Sequence, residues 1–268
     1  MTTSEGLRAI GFNVVGGGIV AAGTLLIERL WRKLRFLRFR QVFGQDVCHG
    51  VYLKYTEYEP PSRETRFKKP PTIVSRRTPD AHNLTRVASG ACARAAAHLA
   101  HSFGRNSPTP PIIEADSVAD DRMDVSFVAL GAANHRALDV LHDPANVFFE
   151  FDGLVVRSRG EGRTLVSTLV AADGFDYGMI LKIHPEHNPR RTWICCAGFG
   201  EWGTSGAAWF LANRWHELRK FAKDRAFACL TKTRIGSDDS TVLTQKFLTK
   251  EDVRNASVGA GGVRTPAT

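Results

Sequence analysis

None of the five cysteines of this 268-residue chain forms a Cys-x-x-Cys pair or any other paired spacing. That excludes a disulfide scaffold and a structural zinc site. No segment repeats at useful length, which excludes a repeat architecture. Charge is missing from residues 9–27 (AIGFNVVGGGIVAAGTLLI), and acid is missing from residues 29–40 (RLWRKLRFLRFR). With 43% hydrophobic and 24% charged residues, the chain is too apolar to be disordered throughout.

The net charge of +9 is concentrated. Residues 29–40 hold six bases, and residues 63–77 (RETRFKKPPTIVSRR) hold six more against one acid. Together they exceed the charge of the whole chain, so the remainder is slightly acidic. A nucleic-acid groove spreads its bases through the folded domain, and no nucleic-acid partner is expected.

The uncharged run of residues 9–27 reaches about 28 Å as a helix, close to the hydrocarbon thickness of a bilayer. It predicts a single transmembrane helix over residues 9–28, between a short extracytoplasmic segment (1–8) and a basic juxtamembrane segment (29–48). A cleaved signal peptide carries its bases before the apolar run, whereas here they follow it. A buried strand with its glycine turn is shorter than this run. The positive-inside rule then places the C-terminal domain in the cytoplasm, anchored in the inner membrane. Membrane lipid is the partner expected through residues 9–40. The small-xxx-small pairs Gly17/Ala21 and Gly18/Ala22 allow a homo-oligomer through the helix.

Residues 49–249 alternate strand and helix patterns. Apolar runs at 125–130 and 192–197 are those of buried strands, and 112–115, 164–170, 178–184 and 226–231 read as further strands. Helices are predicted over 82–103, 133–142 and 204–222, and a hairpin over 147–158 turns at Asp152-Gly153. The fold class is α/β: a Rossmann-like three-layer domain with a mostly parallel sheet and an antiparallel β addition, preceded by one transmembrane helix. Residues 59–80 read as a mobile loop, and residues 250–268 as a disordered tail.

The strongest local pattern is TWICCAGFGEWGTSGAAWFLA. A strand runs into Gly198, Gly200 and Gly203, a literal G-x-G-x-x-G, and a helix starts near Thr204. Glycines let backbone approach a phosphate, and the helix N-terminus offers unpaired N–H groups. Thr204 and Ser205 add hydroxyls, and Glu201 suits a ribose hydroxyl, a base amine, a metal or water. The next strand runs into Lys232-Thr-Arg234 where a dinucleotide fold carries an acid, so a standard NAD site is not expected. A second strand ends at Gly131, with Asn134 near the start of the following helix, either as a crevice wall or as its cap. Arg190 or Arg191, in IHPEHNPRR, can reach a phosphate at the adjacent crevice. His184 and His187 flank a proline there and suit a turn better than a metal. A tight turn without any ligand is the alternative for the whole glycine segment.

The pair LGAAN and AGFGEWGTSGAAWFLA, behind an N-terminal apolar span, resembles uncharacterised bacterial membrane-anchored proteins with a Rossmann-like domain. More distantly it is similar to SLOG-type nucleotide-sensing modules. The resemblance itself carries no known activity; the glycine turns lead to the expectation of a nucleotide or related phosphorylated ligand, held by Gly198, Gly200, Glu201, Gly203, Thr204, Ser205, Gly131, Asn134 and Arg190. No cofactor is identified. Two other functions stay open: a hydrolase or glycohydrolase acting on a nucleotide derivative, with Glu201 or Asp152 as acid or base, and a non-catalytic membrane scaffold.

Overall fold

The computed structural model describes residues 24–44, 50–53, 55–58, 85–115, 124–151, 155–159, 162–167 and 174–256. A first helix, α1, runs over residues 24–43. Then follow β1 (Gly50–Leu53), β2 (Tyr55–Tyr58), β3 (Thr85–Ala88), α2 (Gly90–Asn106), β4 (Ile112–Ala115), β5 (Phe127–Leu130) and α3 (His135–His142). The second half comprises β6 (Phe149–Phe151), β7 (Val155–Ser158), β8 (Thr164–Ser167), β9 (Phe175–Ile183), β10 (Trp193–Gly198), α4 (Glu201–Asn213), α5 (Trp215–Ala222), β11 (Phe227–Arg234), β12 (Ser237–Phe247) and α6 (Lys250–Asn255).

Seven strands form one sheet in the order β12-β11-β9-β10-β5-β1-β4. The pairs β4–β1, β1–β5 and β5–β10 are parallel, whereas β10–β9, β9–β11 and β11–β12 are antiparallel. The expected mostly parallel sheet is therefore corrected to a mixed one. Residues 175–183 and 237–247 insert as long antiparallel strands on one side of a half-sheet of doubly wound type. The β addition of residues 149–167 is separate, a three-stranded meander of β6, β7 and β8.

Period-two alternation divides the sheet's side chains between two cores. Val51, Leu53, Val128, Leu130, Ile180, Ile194, Cys196, Phe227 and Cys229 face α1, α2, α4 and α5. Tyr52, Phe127, Ala129, Met179, Leu181, Trp193, Cys195, Ala197, Ala228 and Leu230 face α3 and the meander. Helix α2 starts at Ser89, whose hydroxyl accepts from the Cys92 N–H at 3.2 Å. It buries Ala91, Cys92, Ala95, Ala96, Leu99, Ser102, Phe103 and Asn106, one stripe at helical spacing. Helix α4 is apolar on nearly every side because it lies between the sheet and α2.

The membrane expectation is corrected. Among the described residues no helix is long and apolar enough to cross a membrane. Most of the expected span, residues 9–23, lies outside the described residues. Residues 24–28 are described, and they continue without a break into the basic run, so every turn of the helix after Ile27 carries charge. Its last turn is not juxtamembrane: Phe39, Val42 and Phe43 are buried, and Phe39 packs against Phe43, Phe103 and Trp215. The single-pass inner-membrane placement with a cytoplasmic C-terminal domain is withdrawn with the transmembrane helix.

Smaller differences have local causes. The helix expected over 204–222 begins at Glu201 and breaks at Arg214 into α4 and α5. Residues 250–255, assigned to the tail, form α6 under a Thr249–Asp252 capping box; residues 257–268 lie outside the described residues, as do residues 59–80. Strand β12 was missed because an edge strand tolerates the polar sequence SDDSTVLTQKF.

Candidate functional site

The glycine turn joins β10 to α4 at the C-terminal edge of the parallel strands. Three glycines bring the helix onto the sheet. A Cβ on Gly203 would lie 2.1 Å from the Tyr177 carbonyl oxygen, and one on Gly198 would lie 2.4 Å from the Gly203 carbonyl carbon. Their lack of a side chain is thus consumed by helix–sheet contact. The antiparallel register sets Gly178 of β9 opposite Gly198, and Gly178 meets the Gly203 carbonyl in the same way.

The exposed end of α4 has no capping side chain of its own. Two of the amides there, those of Gly200 and Gly203, are taken by Asp176 of β9, which also accepts from its neighbour Tyr177. The Gly203 N–H donates to Oδ2 at 2.7 Å, the Gly200 N–H to Oδ1 at 3.2 Å, and the Tyr177 N–H to Oδ1 at 2.8 Å. Asp176 is only 6% exposed. A carboxylate of the protein occupies the place where a phosphate sits at a helix N-terminus, and the helix dipole favours it for the same reason.

The neighbouring residues are similarly committed. Glu201 Oε1 lies against the first turn of α2, 2.7 Å from where a Cβ of Gly90 would be, and 3.7 Å from Arg94 Nη1. Arg94 in turn covers the Trp202 ring at 4.2 Å and approaches Asp238 Oδ2 at 3.6 Å. Thr204 and Ser205 are both buried. The Ser205 hydroxyl donates to Asp238 Oδ1, and His98 Nε2 lies 3.0 Å from Asp238 Oδ2, so this cluster ties α2, α4 and β12 together.

Gly131 adopts a φ of +83°, a conformation that suits glycine, and its N–H donates to the Cys196 carbonyl at 2.9 Å. The β5 and β10 turns follow neighbouring parallel strands. Asn134 is fully buried and caps α3: its Oδ1 accepts from the Arg136 N–H at 2.8 Å. Its Nδ2 donates to the carbonyls of Tyr52 at 2.7 Å and Leu130 at 3.4 Å. Those carbonyls end β1 and β5, the two strands between which the chain reverses its direction of winding. The Asn134 amide therefore fills the switch-point crevice where ligands of open α/β sheets bind.

Arg190 is not at this edge. It precedes β10, so the length of the strand, about 20 Å, separates it from Gly198. There it helps line a cleft of about 1130 Å³ beside Leu37, Arg40, Gln41, Gly44, Lys182, His184, Asn188, Pro189, Arg191, Thr192 and Asp224. The end of β9 and the residue after it bring Lys182 and His184 to the cleft, and the C-terminal end of α1 lines it as well. Lys182 Nζ donates to the carbonyls of Gln41 at 2.7 Å and Asp224 at 3.0 Å. Burial lowers its pKa to about 7, against the raising effect of Asp224. His184 sets Nδ1 2.9 Å from the Arg191 carbonyl and Nε2 2.7 Å from the Asp224 carbonyl. Arg40 Nε is buried without a hydrogen-bond partner. Asp224 contributes the sole carboxylate among these lining residues.

The residues that shape this cleft were largely missed. Lys182 had a signal, a lone charge inside the apolar run GMILKI, and Arg190, Arg191 and His184 were grouped in one turn. Asp176 had none, because its role depends on the β9–β10 register. Asp152 lies outside the described residues, and Glu150 of β6 is exposed. Among the described residues no group of three His, Cys, Asp or Glu side chains is placed to hold a metal. Comparison with family models, with curated proteins and with solved structures finds no match.

Proposed function

We propose that this domain binds a phosphorylated small molecule, and that its site is the basic cleft at the Arg190 end of β10 rather than the glycine turn. One observation carries the reading. Arg40, Arg190 and Arg191 converge on a single cleft, beside Lys182 and His184, and Asp224 is the one carboxylate among its described lining residues. Low-dielectric walls concentrate the field of such a set, and arginine forks match phosphate oxygens in pairs. Polar groups on Gln41, Asn188 and Thr192 would orient the rest of the ligand, with Leu37 and Pro189 as its apolar wall. The glycine turn belongs to the scaffold in this reading, because Asp176 already supplies its anion.

Calorimetric titration of the full chain with inorganic pyrophosphate and a panel of nucleoside mono-, di- and triphosphates tests it. Binding is expected for at least one of them, weakened about tenfold or more by Arg190→Glu and by Arg40→Glu. Absence of binding across the panel, or binding unchanged in both variants, refutes the reading.

A further inference from the structure

Helix α1 has two unlike halves. Its C-terminal end is built into the core through Phe39, Val42 and Phe43. Every side chain from 24 to 35 is exposed. The exposed half is nevertheless rich in large apolar groups: Leu25, Leu26, Ile27, Leu30, Trp31 and Leu34, with Leu37 continuing the row. Leu26 is 61% and Trp31 62% exposed. At 100° per residue, Leu26, Ile27, Leu30, Trp31, Leu34 and Leu37 share an arc of about 140°. That arc adjoins, without overlapping, the arc that buries Phe39, Val42 and Phe43. A helical stretch this short, about 18 Å long and without packing of its own, is marginal in water. An apolar face of this kind marks an interaction site.

Charge decides the occupant. Arg29 and Lys33 flank one edge of the stripe and Arg35 the other, Arg38 lies within it, and Glu28, the single acid of the helix, is paired with Arg32 on the opposite face. A second copy would bring the same bases into register and be repelled. Arg38 falls inside the apolar arc itself, between Ile27 and Trp31. A guanidinium in that place calls for a carboxylate fixed opposite it, which a folded partner supplies at a defined position. We infer that the exposed half of α1 is a docking arm for an acidic amphipathic helix of another protein, leucine-like side chains meeting the stripe and glutamates or aspartates meeting the flanking bases. The geometry is that of helix-to-helix recognition through i, i+4 and i+7 anchors.

The probe is a synthetic amphipathic helix with leucines on one face and flanking glutamates, labelled for anisotropy and titrated with the full chain. A control peptide carries lysine in place of each glutamate. The acidic peptide is expected to bind at least tenfold more tightly than the basic one, and salt should weaken it. Leu30→Ser with Leu34→Ser, and separately Arg35→Glu with Arg38→Glu, should each weaken binding about tenfold or more. Thermal midpoints should not move, because these side chains lie outside the core. Equal binding or no binding of the two peptides overturns the inference. So does self-association of the chain through the same residues, and so does binding to anionic vesicles without binding to the acidic peptide.

Discussion

Replacing Asp176 by alanine tests whether the glycine turn is satisfied from within. The substitution removes the acceptor for three backbone amides at 2.7, 2.8 and 3.2 Å. The Gly203 amide is buried and cannot reach water, whereas Gly200 is exposed and can be rehydrated. A buried donor left without its charged acceptor costs about 2–3 kcal/mol, and losing a negative charge at the N-terminus of α4 costs about 0.5–1 kcal/mol more. Asp176→Ala should therefore destabilise the fold by about 2.5–4 kcal/mol. Asp176→Asn keeps one acceptor oxygen and should cost about 1–2 kcal/mol. Urea unfolding followed by circular dichroism reads both, with an unchanged slope showing that only stability has moved. Formate provides a second readout. It should raise the midpoint of the alanine variant, where it can replace the missing carboxylate, and leave the native protein unaffected. A loss below about 1 kcal/mol for Asp176→Ala, with no response to formate, would refute the claim that these amides depend on Asp176.

Gly203→Val places a Cβ 2.1 Å from the Tyr177 carbonyl oxygen, so α4 cannot stay seated on β9. Its destabilisation should exceed about 4 kcal/mol, and a variant of near-native thermal midpoint would contradict the close approach. Lys182 gives a pH signature. Its folded pKa lies near 7 against 10.5 for the free side chain. Below pH 7 both folded and unfolded chains hold the proton and this group adds no slope. Between 7 and 10.5 the unfolded chain binds more protons, so stability rises with pH, by up to about 1.4 kcal/mol per unit. Lys182→Met should flatten that rise in urea titrations at pH 7, 8 and 9; an unchanged rise would exonerate Lys182. Burial pushes the Cys195 thiol up to about 12 and raises Cys196 and Cys229 as well. In a Cys48→Ser, Cys92→Ser background, a thiol reagent should label none of the three until the chain unfolds; labelling at native pH without unfolding would contradict their burial.

Much of the architecture was legible because it rests on local patterns. The runs VSFVAL and TWICCA are apolar without a break, and both proved to be central strands. The alanine-rich segment before Gly104 became α2, although its first residues pair as β3. Legibility failed where an element's character came from its neighbours. The strand FDYGMILKI resembles the parallel strands in composition, and only its pairing with β10 and β11 reveals that it runs the other way. The apolar start of α1 was read together with the uncharged residues before it as one membrane span. The turn in which Phe39, Val42 and Phe43 enter the core carries the same basic–aromatic pattern that suits a headgroup region, so the pattern cannot separate the two. Asn134 was readable as a helix cap, but its bridge to the ends of β1 and β5 was not.

The glycine motif shows the same limit most sharply. Glycine at 198, 200 and 203 is required by two different structures: a loop that lets a phosphate approach backbone amides, and a helix that lets a sheet approach its own backbone. Both place a negative charge at the helix N-terminus, because that end attracts one whatever its source. The difference lies in which residue or ligand brings the charge, and here β9 brings it. The antiparallel pairing of Gly178 with Gly198 holds Asp176 two residues away, at the mouth of α4. A shift of one residue in that register would turn Asp176 to the opposite face of the sheet and free both amides. The identity of the anion is thus a property of strand pairing, and a one-dimensional spacing of glycines cannot carry it.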